Sequence, residues 1–99
     1  MAVVIIDDVV FEWDDQKSAS NLAKHGVTVE ESATIFRDEL ARSKSDTAHS
    51  VDEIRFLLIG NSQARRMLIV VFVERGERLR LISARAATPN ERREYEQRN

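Results

Sequence analysis

Seven consecutive apolar residues, 67–73 (Met-Leu-Ile-Val-Val-Phe-Val), constrain this chain more than any other segment. Side chains alternate between faces along a strand, so such a run is apolar on both faces and needs cover on both. It is far too short to span a bilayer, which takes about 20 apolar residues in a helix. The run predicts a central strand of a layered fold. Gly76-Glu77 suits a two-residue type II′ turn, with glycine supplying the positive φ. That turn pairs residues whose numbers sum to 153, so Val71 should face Ile82 and Leu68 should face Arg85. In the returning strand, Leu79, Leu81, Ser83 and Arg85 then share one face, and Arg80, Ile82 and Ala84 the other.

The rest of the chain supplies strands and capped helices around that hairpin. Residues 3–13 are rich in β-branched and aromatic residues and are interrupted by Asp7-Asp8, which predicts one or two short strands, the clearer one at 9–13. Asp14 is placed to N-cap a helix over 14–25 with Ala19, Leu22 and Ala23 on its apolar side, and Gly26 to end it. Thr28-Val29-Glu30-Glu31 reads as a capping box for a second helix ending near Phe36, and so short a connection predicts a packed helix pair. A short strand is placed near 40–43 and another over 55–60. Thr88-Pro89-Asn90-Glu91 is a further capping box, with proline at the first helical position, and opens a C-terminal helix containing Tyr95. The expected fold is α+β: an antiparallel sheet with an N-terminal helix pair and a C-terminal helix, in one domain spanning 1–99.

Charge separates the chain into halves. Residues 1–53 hold five Lys/Arg against twelve Asp/Glu, net −7; residues 54–99 hold ten arginines, no lysine and five carboxylates, net +5. Arginine is a planar fork suited to phosphate, so an arginine-bearing sheet points to RNA or another phosphate ligand. The overall charge of −2 argues against a non-specific DNA coat. With no cysteine and two histidines, neither disulfides nor a zinc site is expected, and no cofactor is implied. The N-terminal MAVVII lacks the basic start of a signal peptide, so a cytoplasmic protein away from membranes is expected.

Individual residues then carry the candidate chemistry. Lys24 and His25 end a helix, where cations complement the dipole and where they can point into a cleft. Arg85, on a face expected to be buried, needs a carboxylate such as Glu53 or Glu91, or an anionic ligand. Arg65 and Arg66 sit in the turn before the central strand, Arg75 and Arg78 flank the II′ turn, and Glu53 beside Arg55 is the best carboxylate candidate. Arg92, Arg93 and Arg98 alternate with glutamates as on a solvated helix face.

An ordered set of short strings ties these together: FEWD at 11–14, Lys17, Asn21, KHGV at 24–27, Phe36-Arg37-Asp38, His49-Ser50, Glu53, Arg55, IGNS at 59–62, RRMLIVV at 65–71, RLISARAAT at 80–88, Glu91 and Tyr95. This set closely resembles the BrnT family of bacterial type II toxins, with residues 1–8 as an N-terminal extension outside it. Arg65 stands where that family usually has glycine. The resemblance implies a RelE-like fold, an RNA-cleaving activity that halts translation, and neutralisation by a BrnA-type antitoxin in a stable hetero-oligomer. In such pairs operator DNA is contacted through the antitoxin, and the ribosome is a further expected partner. Carried over by position, the catalytic set is Lys24, His25, Glu53, Arg66 and Arg85, with Arg55, Arg65 and Arg80 contacting RNA. The implied chemistry is metal-independent: the ribose 2′-OH attacks the adjacent phosphorus, arginines hold the added charge, and His25, Lys24 or Glu53 moves the protons. The rival expectation is a module that binds RNA or an acidic protein through the same arginine sheet without cutting. A DNA regulator acting alone is disfavoured because no recognition helix is evident.

Overall fold

A computed structural model describes residues 1–49 and 51–98, so Ser50 of the motif at 49–50 lies outside it, as do the side chains of His49 and Arg98. Six strands form one sheet: β1 (Ala2–Ile6), β2 (Val9–Trp13), β3 (Arg42–Ser45), β4 (Arg55–Asn61), β5 (Met67–Arg75) and β6 (Arg78–Ala86). Their spatial order is β1-β2-β6-β5-β4-β3. Three helices accompany them, α1 (Asp15–His25), α2 (Val29–Thr34) and α3 (Pro89–Arg98), with a 3₁₀ turn at Ile35–Arg37. None of the described helices is long and apolar enough to cross a membrane. The α+β class is as expected. The sheet is not a wholly antiparallel meander, however, because β2 runs parallel to β6, pairing Phe11 with Leu79.

The long apolar strand β5 lies inside the sheet between β6 and β4. Leu68, Val70 and Phe72 enter the main core, and Ile69 and Val73, on the other face, are buried as well. The core joins them to Phe11, Trp13, Val27, Val29, Ala33, Ile35, Leu58, Leu81 and Ala84. A line of rings crosses it, Phe11–Phe36 at 4.9 Å, Phe36–Phe72 at 5.1 Å and Phe72–Phe56 at 5.6 Å between centroids. Residues 1–8 add a strand to this plan. Asp7 and Asp8 take φ of 52° and 66°, the two positive values of a type I′ hairpin turn. Arg37 grips Asp7 through Nε and Nη2 at 3.0 and 3.1 Å, which ties the turn to the 3₁₀ turn that follows α2.

The β5–β6 hairpin departs from the expected register. Near the turn the pairs sum to 153, as in Arg75–Arg78 and Phe72–Leu81, but a bulge between Val71 and Phe72 shifts the rest by one. Val71 therefore faces Ser83 rather than Ile82, and Leu68 faces Ala86 rather than Arg85. Ile82 is the extra residue, and an inserted residue inverts the alternation beyond it. Leu81 and Ala84 thus share the core face, while Arg85, opposite Ile69, moves to the other. The anomaly of an arginine on the buried face disappears.

Helix α1 forms as its caps dictate. The Lys17 N–H donates to Asp14 Oδ2 at 3.0 Å, and Gly26, at φ 67°, returns its N–H to the Leu22 carbonyl at 2.8 Å. Its packing differs from expectation: Ala19, Leu22 and Ala23 are exposed, and the buried residue is Asn21. Strand β2 accompanies β6 only through Arg80, so the edge of β6 beyond it needs other partners. Asn21 provides one, accepting from the Ala84 N–H at 3.0 Å and donating to the Val27 carbonyl at 3.3 Å. Helix α1 leans on β6, whereas α2 leans on β1 and β2, so the two do not form the expected hairpin pair. Strand β3 lies two residues later than its expected place at 40–43.

The β4–β5 turn carries a strained residue. Arg65 has φ 63°, in the left-handed region, held by its N–H on the Ser62 carbonyl at 2.9 Å. Left-handed backbone costs a side-chain-bearing residue about 1–2 kcal/mol, and glycine's extra unfolded-state entropy returns about 0.5–1 of that. Arg65→Gly is therefore expected to stabilise the fold by about 0.5–1 kcal/mol in urea unfolding, and a loss of stability would contradict the strain.

Candidate active site on the open face of the sheet

The sheet has a helix-covered face, built on Leu68, Val70 and Phe72, and an opposite face covered only at one end by α3. Cross-strand pairing puts nearly every sheet cation on this open face. Arg85 is opposite Ile69, Arg80 and Arg55 are both opposite Val73, and Arg75 is opposite Arg78. Arg42 and Lys44 join them through their pairing with Ile59 and Leu57. The arginine-rich half of the chain is therefore one-sided.

Carboxylates space these cations apart. Glu12, 5% exposed, accepts from Arg80 Nε at 3.0 Å and from Arg78 Nη1 at 3.2 Å. Burial would raise the Glu12 pKa, but the bonds from Arg80 and Arg78 outweigh it and hold the carboxyl below its usual range. Glu53 takes Arg75 at 2.8 Å, which also lowers its pKa. The pair facing each other across the hairpin turn, Arg75 and Arg78, is thus separated by different acids.

Arg85 is held most specifically. Its Nη1 donates to Glu91 Oε1 at 2.8 Å and its Nη2 to Oε2 at 2.9 Å, with a further Nη1 contact to the Ala86 carbonyl at 3.3 Å. Glu91 approaches the end of the guanidinium. The side edge, made of Nε–H and the second Nη2 hydrogen, has no partner among the described residues and suits another bidentate acceptor such as phosphate. Glu91 is itself fixed by a complete capping box, since the Thr88 N–H donates to Oε1 at 2.8 Å and Thr88 Oγ1 accepts from the Glu91 N–H at 3.2 Å. The Arg85 bonds come first among the causes that pull the Glu91 pKa from 4.5 to about 2. A depressed acid stabilises the fold above its unfolded pKa and loses that contribution as pH falls through the folded value. Thermal stability should thus decline between pH 4.5 and about 2, and Glu91→Gln should flatten that part of the Tm profile. An unchanged acid limb in the variant would contradict the linkage.

Two depressions flank Arg85. On one side, Ser83 precedes it by two residues on the same face and lines a cleft of about 240 Å³ with Lys17, Ser20, Asn21, Lys24, His25 and Ile82. Lys17 and Lys24 are seven apart and so share a face of α1. Neither lysine, nor His25, makes an ion pair among the described residues. On the other side, Ile69 and Glu91 line a cavity of about 100 Å³ that continues to β3 and α3. Among the described residues, no three His, Asp or Glu side chains converge as metal ligands would.

The expected site residues therefore divide. Lys24 and His25 line the α1 cleft with Ser83, and Arg85 follows Ser83 by two residues on the same face of β6. Arg66 lies behind it: the parity that puts Leu68 in the core sends Arg66 to the helix side. There its Nε donates to Glu31 Oε2 at 2.9 Å, Nη2 ion-pairs with Glu31 Oε1, and Nη2 also donates to the Gly26 carbonyl at 2.8 Å. Ser62 Oγ donates to the same Glu31 carboxylate at 2.7 Å. Glu31 thus serves Arg66 rather than the reciprocal half of its own capping box, and Arg66 anchors the residue that follows His25. Glu53 stays with Arg75, six residues along β5 from the partner of Arg85, about 20 Å at strand rise. Arg80 belongs to that far half of the open face through Glu12, and Arg55 through its pairing with Val73; Arg65 is on the exposed turn.

Sequence reasoning missed Lys17 and Ser83 in the cleft, and Arg42, Lys44 and Tyr95 beside the second cavity. The helical spacing of Lys17 and Lys24 was a usable signal. Arg42 and Lys44 were hidden by the two-residue misplacement of β3.

A family model described as "Ribonuclease toxin, BrnT, of type II toxin-antitoxin system" matches residues 13–91. The chain is similar to the crystal structure of the Brucella abortus ribonuclease toxin BrnT, with 25% identity, a TM-score of 0.61, and coverage of 79% of this chain and 95% of that one. No curated protein matches the sequence.

Proposed function

Because the chain belongs to the BrnT family of ribonuclease toxins of type II toxin-antitoxin systems, we propose that the open face around Arg85 is a metal-independent endoribonuclease site. The observation that carries this reading is the side edge of Arg85, unused among the described residues and fixed by Glu91 near a cleft whose lysines and histidine make no ion pair among the described residues. In the reaction, a ribose 2′-oxygen forms a bond to the adjacent phosphorus while the bond to the 5′-oxygen of the next nucleotide breaks. The products are a 2′,3′-cyclic phosphate and a free 5′-hydroxyl. One proton leaves the 2′-OH and one reaches the departing oxygen.

Arg85 receives the non-bridging oxygens on its free fork, where the growing charge is met by a donor that is already oriented. His25 and Lys24 are the groups for proton transfer, since both line the cleft and an imidazole nitrogen can both accept and donate a proton. Arg66 acts through position: by holding the Gly26 carbonyl and Glu31 it sets where Lys24 and His25 stand. Arg55, Arg80 and the Arg75–Glu53 pair extend the cationic surface along flanking RNA, Glu53 orienting its arginine. Arg65, exposed on the turn, adds a long-range attraction. A BrnA-type antitoxin neutralises the toxin by covering this face, in a complex through which operator DNA is contacted, and translation stops when the toxin is free.

The test is single-stranded RNA with purified protein in EDTA, alongside a translating lysate. Cutting in EDTA, abolished by a 2′-deoxy substitution at the cut site, is the expected result. No cutting in either setting, or cutting that the 2′-deoxy substitution leaves intact, contradicts the reading. Growth arrest that survives all single substitutions in proportion to retained RNA affinity would instead favour a binding module.

A further inference from the structure

We propose that Lys17, with Ser20 and Ser83, forms a second phosphate subsite, which holds an RNA phosphate flanking the one at Arg85 and reads no base. The inference rests on the nuclease reading above and deepens it. The cationic open face has a gap along β6. Arg85 stands near one end of that strand and Arg80, held by Glu12, toward the other, five residues away or about 17 Å at strand rise. Stacked nucleotides advance about 3.4 Å each, so the interval spans more than one of them. Strand β6 places no cation in it, because residues 81–84 are Leu-Ile-Ser-Ala. Ile82 and Ser83, in the middle of the interval, line the α1 cleft, and Lys17 lines it from the helix.

The position of Lys17 is hard to explain by stability. It is the third residue of α1, and a cation in the first turn of a helix opposes the dipole. No ion pair offsets this among the described residues. The backbone beneath it is fixed at both ends. The Lys17 N–H is bound by the Asp14 cap at 3.0 Å, and Asn21 pins the helix to the Ala84 N–H at 3.0 Å. Lys17 is seven residues from Lys24, about 10 Å along the helix axis, so one lysine serves the reacting phosphate and the other its neighbour.

The lining suits a phosphate. Lys17, Ser20 and Lys24 follow at spacings of three and four, so they share a face of α1, and Ser83 meets them from β6. The ammonium of Lys17 and the hydroxyls of Ser20 and Ser83 have no partner among the described residues. Such groups bind phosphate oxygens, which positions a strand without reading its sequence. The cleft has no aromatic ring on which a base would stack, and Ile82 is its one apolar side chain. Its volume of about 240 Å³ gives room for a phosphodiester with water around it, since one water needs on the order of 10–15 Å³.

The experiment is fluorescence anisotropy with full-length protein and uncleavable 2′-fluoro oligomers of uridine or adenosine, over a salt series. Lys17→Ala should weaken binding severalfold and equally for both oligomers. The slope of log affinity against log salt should shrink by about 0.7, the value for one phosphate of a single strand. Lys17→Arg should keep the slope. Lys17 is exposed and alanine favours helix, so the variant should keep its fold, checked by circular dichroism. Arg92→Ala removes the same charge from the exposed side of α3 and should leave the slope alone. In cleavage, Lys17→Ala should raise KM and spare kcat, because the contact is the same in the ground and transition states. An unchanged slope in Lys17→Ala overturns the proposal, as do an equal loss in Arg92→Ala, a loss confined to one oligomer, or a loss confined to kcat. An unchanged slope together with weakened antitoxin binding assigns the cleft to the antitoxin and also overturns it. A slope that shrinks in Lys17→Ala, in a protein that cuts no RNA, supports the subsite and removes the nuclease reading alone.

Discussion

Replacing Arg85 by alanine is expected to lower RNA cleavage by about 10²–10³-fold, mostly in kcat, the size seen when a preoriented donor to developing charge is removed. The prediction follows from how the residue is held. Glu91 takes the end of the guanidinium and leaves the side edge open, so the fork is aimed before substrate arrives. Arg85→Lys keeps the charge and loses the planar fork, and should recover only a small part of the activity. Glu91→Gln keeps the fork and weakens its aim, so its effect should be intermediate. Folding is a separable matter, because Arg85 and Glu91 are both partly exposed and their pair contributes modestly to stability. An Arg85→Ala protein that folds, binds antitoxin and cuts RNA at the normal rate would remove Arg85 from the chemistry.

The second large effect lies in the core. Phe72, 8% exposed, touches the rings of Phe36 and Phe56 and is the last residue paired in the turn-proximal register before the bulge. Phe72→Ala should cost about 3–5 kcal/mol, as for other buried phenylalanines. Against a total stability of about 5–15 kcal/mol, that is enough to lower Tm by more than about 10 °C. Phe72→Leu, which refills most of the space, should cost less than half as much. A calorimetric shift of only one or two degrees for Phe72→Ala would show that the ring line does not hold the two halves of the sheet together.

What was legible in the sequence was local. Asp14, Thr28 and Thr88 cap helices where their side chains can reach N–H groups three residues on, and Gly26 and Gly76 take the positive φ their turns require. The central strand was legible because seven apolar residues leave few other options. The pairing of β2 with β6 was not, since it joins residues nearly seventy apart and depends on how α1 is accommodated. Nor was the bulge at Ile82, because apolar and polar residues around it satisfy either register until Ala84 and Arg85 are assigned faces. The site followed the same rule. Arg85 was a candidate, but was expected on the other face; Arg66 was a candidate, but the sheet separates it from Arg85; and Asn21 turned an amphipathic reading of α1 inside out.

The central claim is spatial: RNA is met on the open face, at Arg85 between the α1 cleft and the α3 cavity. Titration of isotope-labelled protein with an uncleavable 2′-fluoro RNA, followed by amide chemical shifts, tests it most directly. The account predicts shifts at Lys24, His25, Ser83, Arg85 and the β3 residues Arg42 and Lys44, with Glu31, Ser32 and Ala33 on the helix-covered side unmoved. Shifts concentrated at Glu31 and the buried side of α2, with Ser83 and Arg85 silent, would contradict it.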